Sequence, residues 1–176
     1  MKHIRITQEF WTLFPEARIA VVCLTGIRNT CSHPRIEEEL RCANEKAVQY
    51  LEKEIFSENP AVAVWRDAYR RFKTKKGVRS SIENLLKRVE KGNPVSTINP
   101  LVDLYNAISL EYGLPCGGED IDTLQGDLLL TLANGGESFL ALGDEAEDPA
   151  LPGEVVYKDD LGIVCRCWNW RDGNRT

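Results

Sequence analysis

Hydrophobic positions recur at helical spacing through much of the chain and at a period of two from Asp127 onward. Ahead of the first helical pattern, residues 18–27 (RIAVVCLTGI) form a β-branched run that predicts a buried strand. Ile36, Leu40, Ala43, Ala47 and Leu51 then line one face of an expected helix. Ser32 is placed to cap it, Pro34 suits its first turn, and Glu37 and Glu38 complement its positive end. The chain turns at Asn59-Pro60, and a second helix runs to Phe72 before Gly77 interrupts the pattern. Ser80-Ser81-Ile82-Glu83 is a capping-box pattern with a buried stripe of Ile82, Leu85, Leu86 and Val89 behind it; Gly92-Asn93-Pro94 ends that helix. The last expected helix opens at Asn99-Pro100 and closes at Gly113. Leu101, Leu104, Tyr105 and Ile108 are its expected apolar face, and Asn99, Asp103 and Asn106 fall on a different, polar face.

From Asp127 on, Leu128–Leu132, Ser138–Leu142, Glu154–Tyr157 and Gly162–Trp168 read as strands, with Asn134-Gly135 as a hairpin turn between the first pair. Helices followed by a mainly antiparallel sheet define an α+β fold class, with sheets flanked by helices. A length of 176 residues fits one domain or two small interwoven subdomains. The expectation is a single domain over residues 1–176, with residues 1–59 as an N-terminal strand–helix part.

Composition changes this picture little: 43% hydrophobic residues is ordinary for a globular chain. Glu9, Pro15 and Glu16 interrupt the N-terminal region that a secretory signal would need, and the longest apolar run, Ile19 to Leu24, is far short of the ~20 residues a membrane helix requires. A soluble, cytoplasmic protein is expected. The six cysteines (23, 31, 42, 116, 165 and 167) then read as reduced thiols, with Cys165 and Cys167 as small core residues. Neither that pair nor Cys31 and His33 is accompanied by a second ligand pair, so neither a metal nor a cofactor is expected.

Charge is distributed unevenly. Residues 65–91 hold ten Lys or Arg against three Asp or Glu, and residues 92–176 hold four against fifteen, giving +7 and −11 in a chain of net −5. A basic segment on an acidic protein suggests a localised anionic partner, although a solvated basic helix face has the same composition.

The candidate chemistry is sparse. With two histidines, both near the N-terminus, a Ser-His-Asp or Cys-His mechanism has no basis, and no glycine-rich phosphate loop occurs. Two features remain. The start of the Arg79-Ser80-Ser81 helix, with Lys75 and Lys76 nearby, has the donors and cations to hold a phosphate; ordinary capping accounts for the serines but not for the cations. The Asn99/Asp103/Asn106 stripe uses residues poorly suited to a helix interior, and so points to binding, a buried network or a solvated face.

The order of several short motifs is similar to the B3/B4 editing domain of the phenylalanyl-tRNA synthetase β subunit. They are Val102-Asp103…Asn106, Gly113-Leu114-Pro115, Asp120-Ile121-Asp122, Gly126 and Gly136-Glu137. The flanks WRDAYRRF…RSSIENLLKRV and PGEVVYKDDLGIVCRCWNWRDGNRT resemble free-standing B3/B4 proteins, so the likeness covers about residues 60–176.

The resemblance implies a B3/B4-like fold, tRNA or aminoacyl-tRNA as partner, and hydrolysis of the ester joining a wrong amino acid to tRNA. It puts Asn106 on the asparagine of the synthetase pocket as the catalytic candidate, with Asn99 and Asp103 supporting its helix. Gly117 stands where the synthetase has a histidine. Trp168, Asn169 and Arg171 stand at its glycine-rich strand end, and Asp120 completes the expected substrate-binding set. With tRNA as partner, Lys75, Lys76, Arg79, Ser80, Ser81, Lys87 and Arg88 are the expected contacts. Relatives continue past Thr176 through a further strand and helix, which this chain is expected to lack. Two other readings stay open: a tRNA- or RNA-binding module without catalysis, and a protein that binds an amino acid or other small molecule.

Overall fold

Among the described residues, five strands form one sheet in the order β1 (Ile4–Ile6), β2 (Leu128–Leu132), β3 (Val155–Lys158), β4 (Ile163–Arg166) and β5 (Arg171–Asp172). This is the α+β class expected. The pair β1–β2 is parallel, with Ile4 beside Leu128; the other three pairs are antiparallel. All four residues of β4 are buried, and Val155 and Val156 of β3 are both 0% exposed. Strands covered on both faces read as continuous apolar runs, which is the pattern of GIVCRCW. Apolar clusters lie on the sheet around Phe139, Val156 and Ile163 and around Leu124, Leu128 and Val164.

This computed structural model describes residues 2–30 and 33–175. The chain divides into two compact units that are interleaved in sequence. One comprises Met1–Arg18, Asp67–Ser80 and Glu119–Thr176, and the other Ile19–Arg66 and Ser81–Gly118. The first contains the sheet and a short helix, α1 (Gln8–Leu13). The second is helical, built from α2 (Pro34–Lys46), most of α3 (Pro60–Tyr69), α4 (Ser81–Glu90) and α5 (Pro100–Tyr112).

The helical unit buries Leu40, Ala43 and Ala47 of the α2 segment against Val62, Ile82, Leu86, Ala107 and Leu110. Its helix ends follow local chemistry. The cap of α2 is His33, whose Nδ1 accepts from the Arg35 N–H at 3.2 Å, with Pro34 at the first position; Ser32, the expected cap, lies outside the described residues. Asn99 caps α5 by accepting from Val102 N–H at 3.0 Å. At the other end Gly113 adopts φ 64°, and a Cβ there would meet the Tyr50 ring at 2.8 Å, so the position requires glycine on both counts.

Three expectations fail. Residues 18–27 form no strand: Val21, Val22, Leu24 and Ile27 are 49–80% exposed, and the run pairs with no strand among the described residues. Ser138–Leu142 contributes only an isolated bridge, Ala141 to Gly173, and β2 pairs with β3 instead. The Asn134-Gly135 turn is therefore not a hairpin. Its two N–H groups donate to the Glu137 carboxylate at 2.8 Å each, which turns the chain away from β2. The third failure concerns the buried face of α5, described below.

Asp159 closes the turn between β3 and β4. It accepts from Gln125, Leu161 and Gly162 N–H groups and pairs through both oxygens with Arg175 at 2.9 and 3.0 Å. Burial pushes its carboxyl up, but Arg175 and these N–H groups outweigh burial and hold it down at about 2. A group depressed on folding stabilises the fold above its unfolded value near 4, and that contribution is lost as pH falls towards 2. About 2 kcal/mol of stability should disappear over this window. Urea unfolding of wild type and Asp159→Asn at pH 6 and pH 3 tests this: the wild type should lose more stability than the variant.

Candidate functional site

On α5 the arrangement is the reverse of the amphipathic reading. Asp103, Asn106, Ala107, Ser109 and Leu110 are buried, while Leu104 and Ile108 are 37% and 42% exposed. The packed stripe is 103, 106, 107 and 110, a proper i, i+3, i+4, i+7 set whose first two members are polar. Ala107 and Leu110 anchor it in the helical core. The polar stripe is therefore internal rather than a solvated face.

Asn99, Asp103 and Asn106 are brought together on this helix, each in a different state. The Asn99 side chain is occupied as the cap. Asp103 is 1% exposed; its Oδ1 accepts from Ile98 N–H at 2.7 Å, and its buried Oδ2 has no partner among the described residues. Asn106 is 8% exposed, and its carboxamide makes no hydrogen bond among the described residues. Beyond them, Ser109 donates to the Leu114 carbonyl at 2.5 Å and ties the helix end to the following loop. Gly117, in that loop, is exposed.

In the sheet unit, Trp168, Asn169 and Arg171 lie on and beside the turn between β4 and β5. Cys167 and Trp168 adopt φ 46° and 68°, left-handed conformations that cost about 1–2 kcal/mol in a residue with a side chain. Packing and hydrogen bonds hold them there. Tyr69 donates its hydroxyl to the Cys167 carbonyl at 2.6 Å and to Asn169 Oδ1 at 3.2 Å, and Trp168 N–H donates to the Val155 carbonyl at 2.7 Å. The Trp168 ring lies 5.0 Å from Phe10 and 4.8 Å from Phe14, centre to centre. Arg171 forms a two-pronged pair with Asp144 at 2.8 and 2.9 Å. Asp120, also expected in the site, is exposed and shapes its own turn by accepting from Asp122 N–H at 2.9 Å. Cys165 and Cys167 are buried, and burial raises both thiols, Cys167 to about 12.

Much of the basic segment's charge is paired locally. Lys75 pairs with Asp148, Arg66 with Glu83, Arg70 with Asp67, and Lys87 with Glu90 at 2.5 Å. The Lys87 ammonium also sits 4.3 Å over the Phe56 ring. Ser80 is 1% exposed and Ser81 half-buried, whereas Lys76, Arg79 and Arg88 are exposed.

Two groups escaped sequence reasoning. The acidic loop 143–153 turns out to be a set of counter-charges: Asp144 for Arg171, and Asp148 for both Lys75 and Arg166. Arg166 itself is 0% exposed and held by Glu154, also 0% exposed. Its signal was visible as one cation inside the apolar run GIVCRCW.

The sequence has relatives among known proteins. The family model of the B3/4 domain matches residues 64–176, and the chain belongs to that family. It is similar to the phenylalanine–tRNA ligase beta subunit of Leifsonia xyli subsp. xyli, with 34% identity over 71 residues, 40% of this chain and 8% of that protein. The subunit of the same name from Cutibacterium acnes is 34% identical over 67 residues, 38% of this chain and 8% of that one. The matched part is thus a small fraction of the length of these relatives. No solved structure matches the chain. No helix among the described residues is long and apolar enough to cross a membrane.

Proposed function

We propose that this protein is a hydrolase that deacylates mischarged aminoacyl-tRNA, with Asn106 at the reacting end of its site. The observation that carries the reading is Asn106 itself. It lies within the segment matched by the B3/4 family model, buried on α5, with a carboxamide not committed to any hydrogen bond among the described residues. Ester hydrolysis needs a positioned water and donors for the charge that develops on the carbonyl oxygen; a fixed, uncommitted amide suits either task. Lys76, Arg79 and Arg88 are exposed cations suited to phosphates of the tRNA backbone.

The test is a panel of tRNAs charged with wrong amino acids. At least one should lose its amino acid faster than in buffer, and Asn106→Ala should slow that release on the order of a hundredfold. A panel with no member deacylated faster than in buffer overturns the proposal. Salt-sensitive tRNA binding without deacylation would support the second reading, an RNA-binding module without catalysis. Gly117, at the position of the synthetase's pocket histidine, favours that reading, as does Trp168, whose ring is packed against Phe10 and Phe14.

A further inference from the structure

Helix α5 carries two polar groups with unpartnered atoms, the first of them out of contact with solvent. One is Asp103 Oδ2, out of contact with solvent and without a partner among the described residues, although Oδ1 of the same carboxylate accepts from Ile98 N–H at 2.7 Å. The other is the Asn106 carboxamide, on a residue 8% exposed. A buried polar group without a hydrogen-bond partner is costly, more so if charged, and native proteins satisfy such groups, often with ordered water. A buried water needs two to four polar partners. Residues three apart on a helix are neighbours on one face, so a single water can reach the side chains of both.

We propose that Asp103 and Asn106 hold one ordered water between them and that this water is the hydrolytic nucleophile. The second clause rests on the hydrolase reading above; the first does not. Asp103 Oδ2 accepts one proton of the water and the Asn106 carboxamide oxygen accepts the other, which leaves the lone pairs free to face the ester. The water oxygen adds to the ester carbonyl carbon while its proton passes to the Asp103 carboxylate. The resulting tetrahedral species collapses with cleavage of the bond to the ribose oxygen, and that oxygen takes the proton from Asp103. The products are the free amino acid and a ribose hydroxyl, and Asp103 returns to the carboxylate. Asp103 is thus a proton acceptor and donor in the reaction rather than only a prop for its helix.

Two measurements test the pair of claims. A high-resolution crystal structure of the wild type should show a water oxygen within hydrogen-bond distance of both Asp103 Oδ2 and the Asn106 carboxamide, and Asn106→Leu should lose it. Asp103→Asn keeps an acceptor for Ile98 N–H and the side-chain size but removes the proton acceptor, so deacylation should fall about a hundredfold or more. If Asp103→Asn fails to fold, Asn106→Leu carries the rate test, with a loss of the same order expected. A wild-type structure without this water overturns the site. Water present with wild-type rates in both variants overturns its role as nucleophile. Water present in a protein that deacylates no member of the mischarged panel overturns the hydrolase reading and leaves the water site standing.

Discussion

Replacing Arg166 by Leu should destabilise the protein by about 3–5 kcal/mol, which is the cost of leaving a buried charge without its partner. Arg166 is 0% exposed; its Nε and Nη2 donate to Glu154 at 2.9 and 2.5 Å, and its Nη1 donates to the Asp148 side chain and carbonyl at 2.8 Å each. Phe139 and Trp170 place their rings 5.6 and 5.8 Å from the guanidinium. Leucine fills much of the space but strands Glu154, itself 0% exposed, as a carboxylate with no counter-charge. A typical domain has only about 5–15 kcal/mol of stability in total, so this single change takes a large part of it. The double variant Glu154→Met with Arg166→Leu should recover most of the loss, because a buried ion pair replaced by apolar groups of similar size is often neutral. Urea unfolding of the three proteins gives the comparison. A loss under about 1 kcal/mol for Arg166→Leu alone would show that the charge is solvated and the pair is not what holds the acidic loop.

How far the fold was legible varies with the kind of signal. Chemistry local to a helix end could be read: Asn99-Pro100 opens α5 and Gly113 closes it, because capping and a left-handed backbone depend on a few adjacent residues. The stripe of α4 was legible for the same reason, with Ile82 and Leu86 at 0% exposed. Features that need a distant partner were not. RIAVVCLTGI has strand composition, but a strand exists only where another strand satisfies its backbone, and among the described residues none pairs with it. The Asn134-Gly135 signal for a hairpin was overridden three residues on by Glu137, whose carboxylate binds both turn N–H groups. β1 was missed because it is three residues long and its pairing partner, β2, is more than a hundred residues away in sequence.

The site follows the same division. Sequence spacing put Asn99, Asp103 and Asn106 on one side of α5, and the structure keeps them there. Which side is buried was misjudged, because Leu104 and Ile108 outweigh Asp103 and Asn106 on any hydrophobic scale. Packing follows Ala107 and Leu110, which share the stripe of Asp103 and Asn106 and draw it inward. The charges of the basic segment could be counted but not paired from sequence. Lys75 and Asp148 are 73 residues apart, and their pairing leaves fewer cations for an anionic ligand than the net +7 of residues 65–91 suggests.

Phe10→Ala should cost about 3–5 kcal/mol, the range for truncating a buried phenylalanine. Its ring is 0% exposed and makes edge or tilted contacts with Trp11 at 5.5 Å, Phe14 at 5.3 Å and Trp168 at 5.0 Å. α1 has six residues and no side-chain cap, too short to form alone, so the packing of Phe10 is what holds it in place. The same ring supports Trp168 in its left-handed backbone, a conformation that persists only where its surroundings over-determine it. Truncation therefore opens a cavity and releases the β4–β5 turn at once. Both effects have a readout: urea unfolding gives the stability, and the emission of Trp168, together with the other three tryptophans, should shift to the red as the turn loosens. A loss below about 1 kcal/mol with unchanged emission would mean that α1 is an accessory. The expected loss makes α1 and β1 integral to the sheet unit, although both precede residue 64, where the B3/4 match begins. A fragment cut at that residue would lack the first strand of the sheet and the ring under Trp168, and should unfold at lower urea than the full chain.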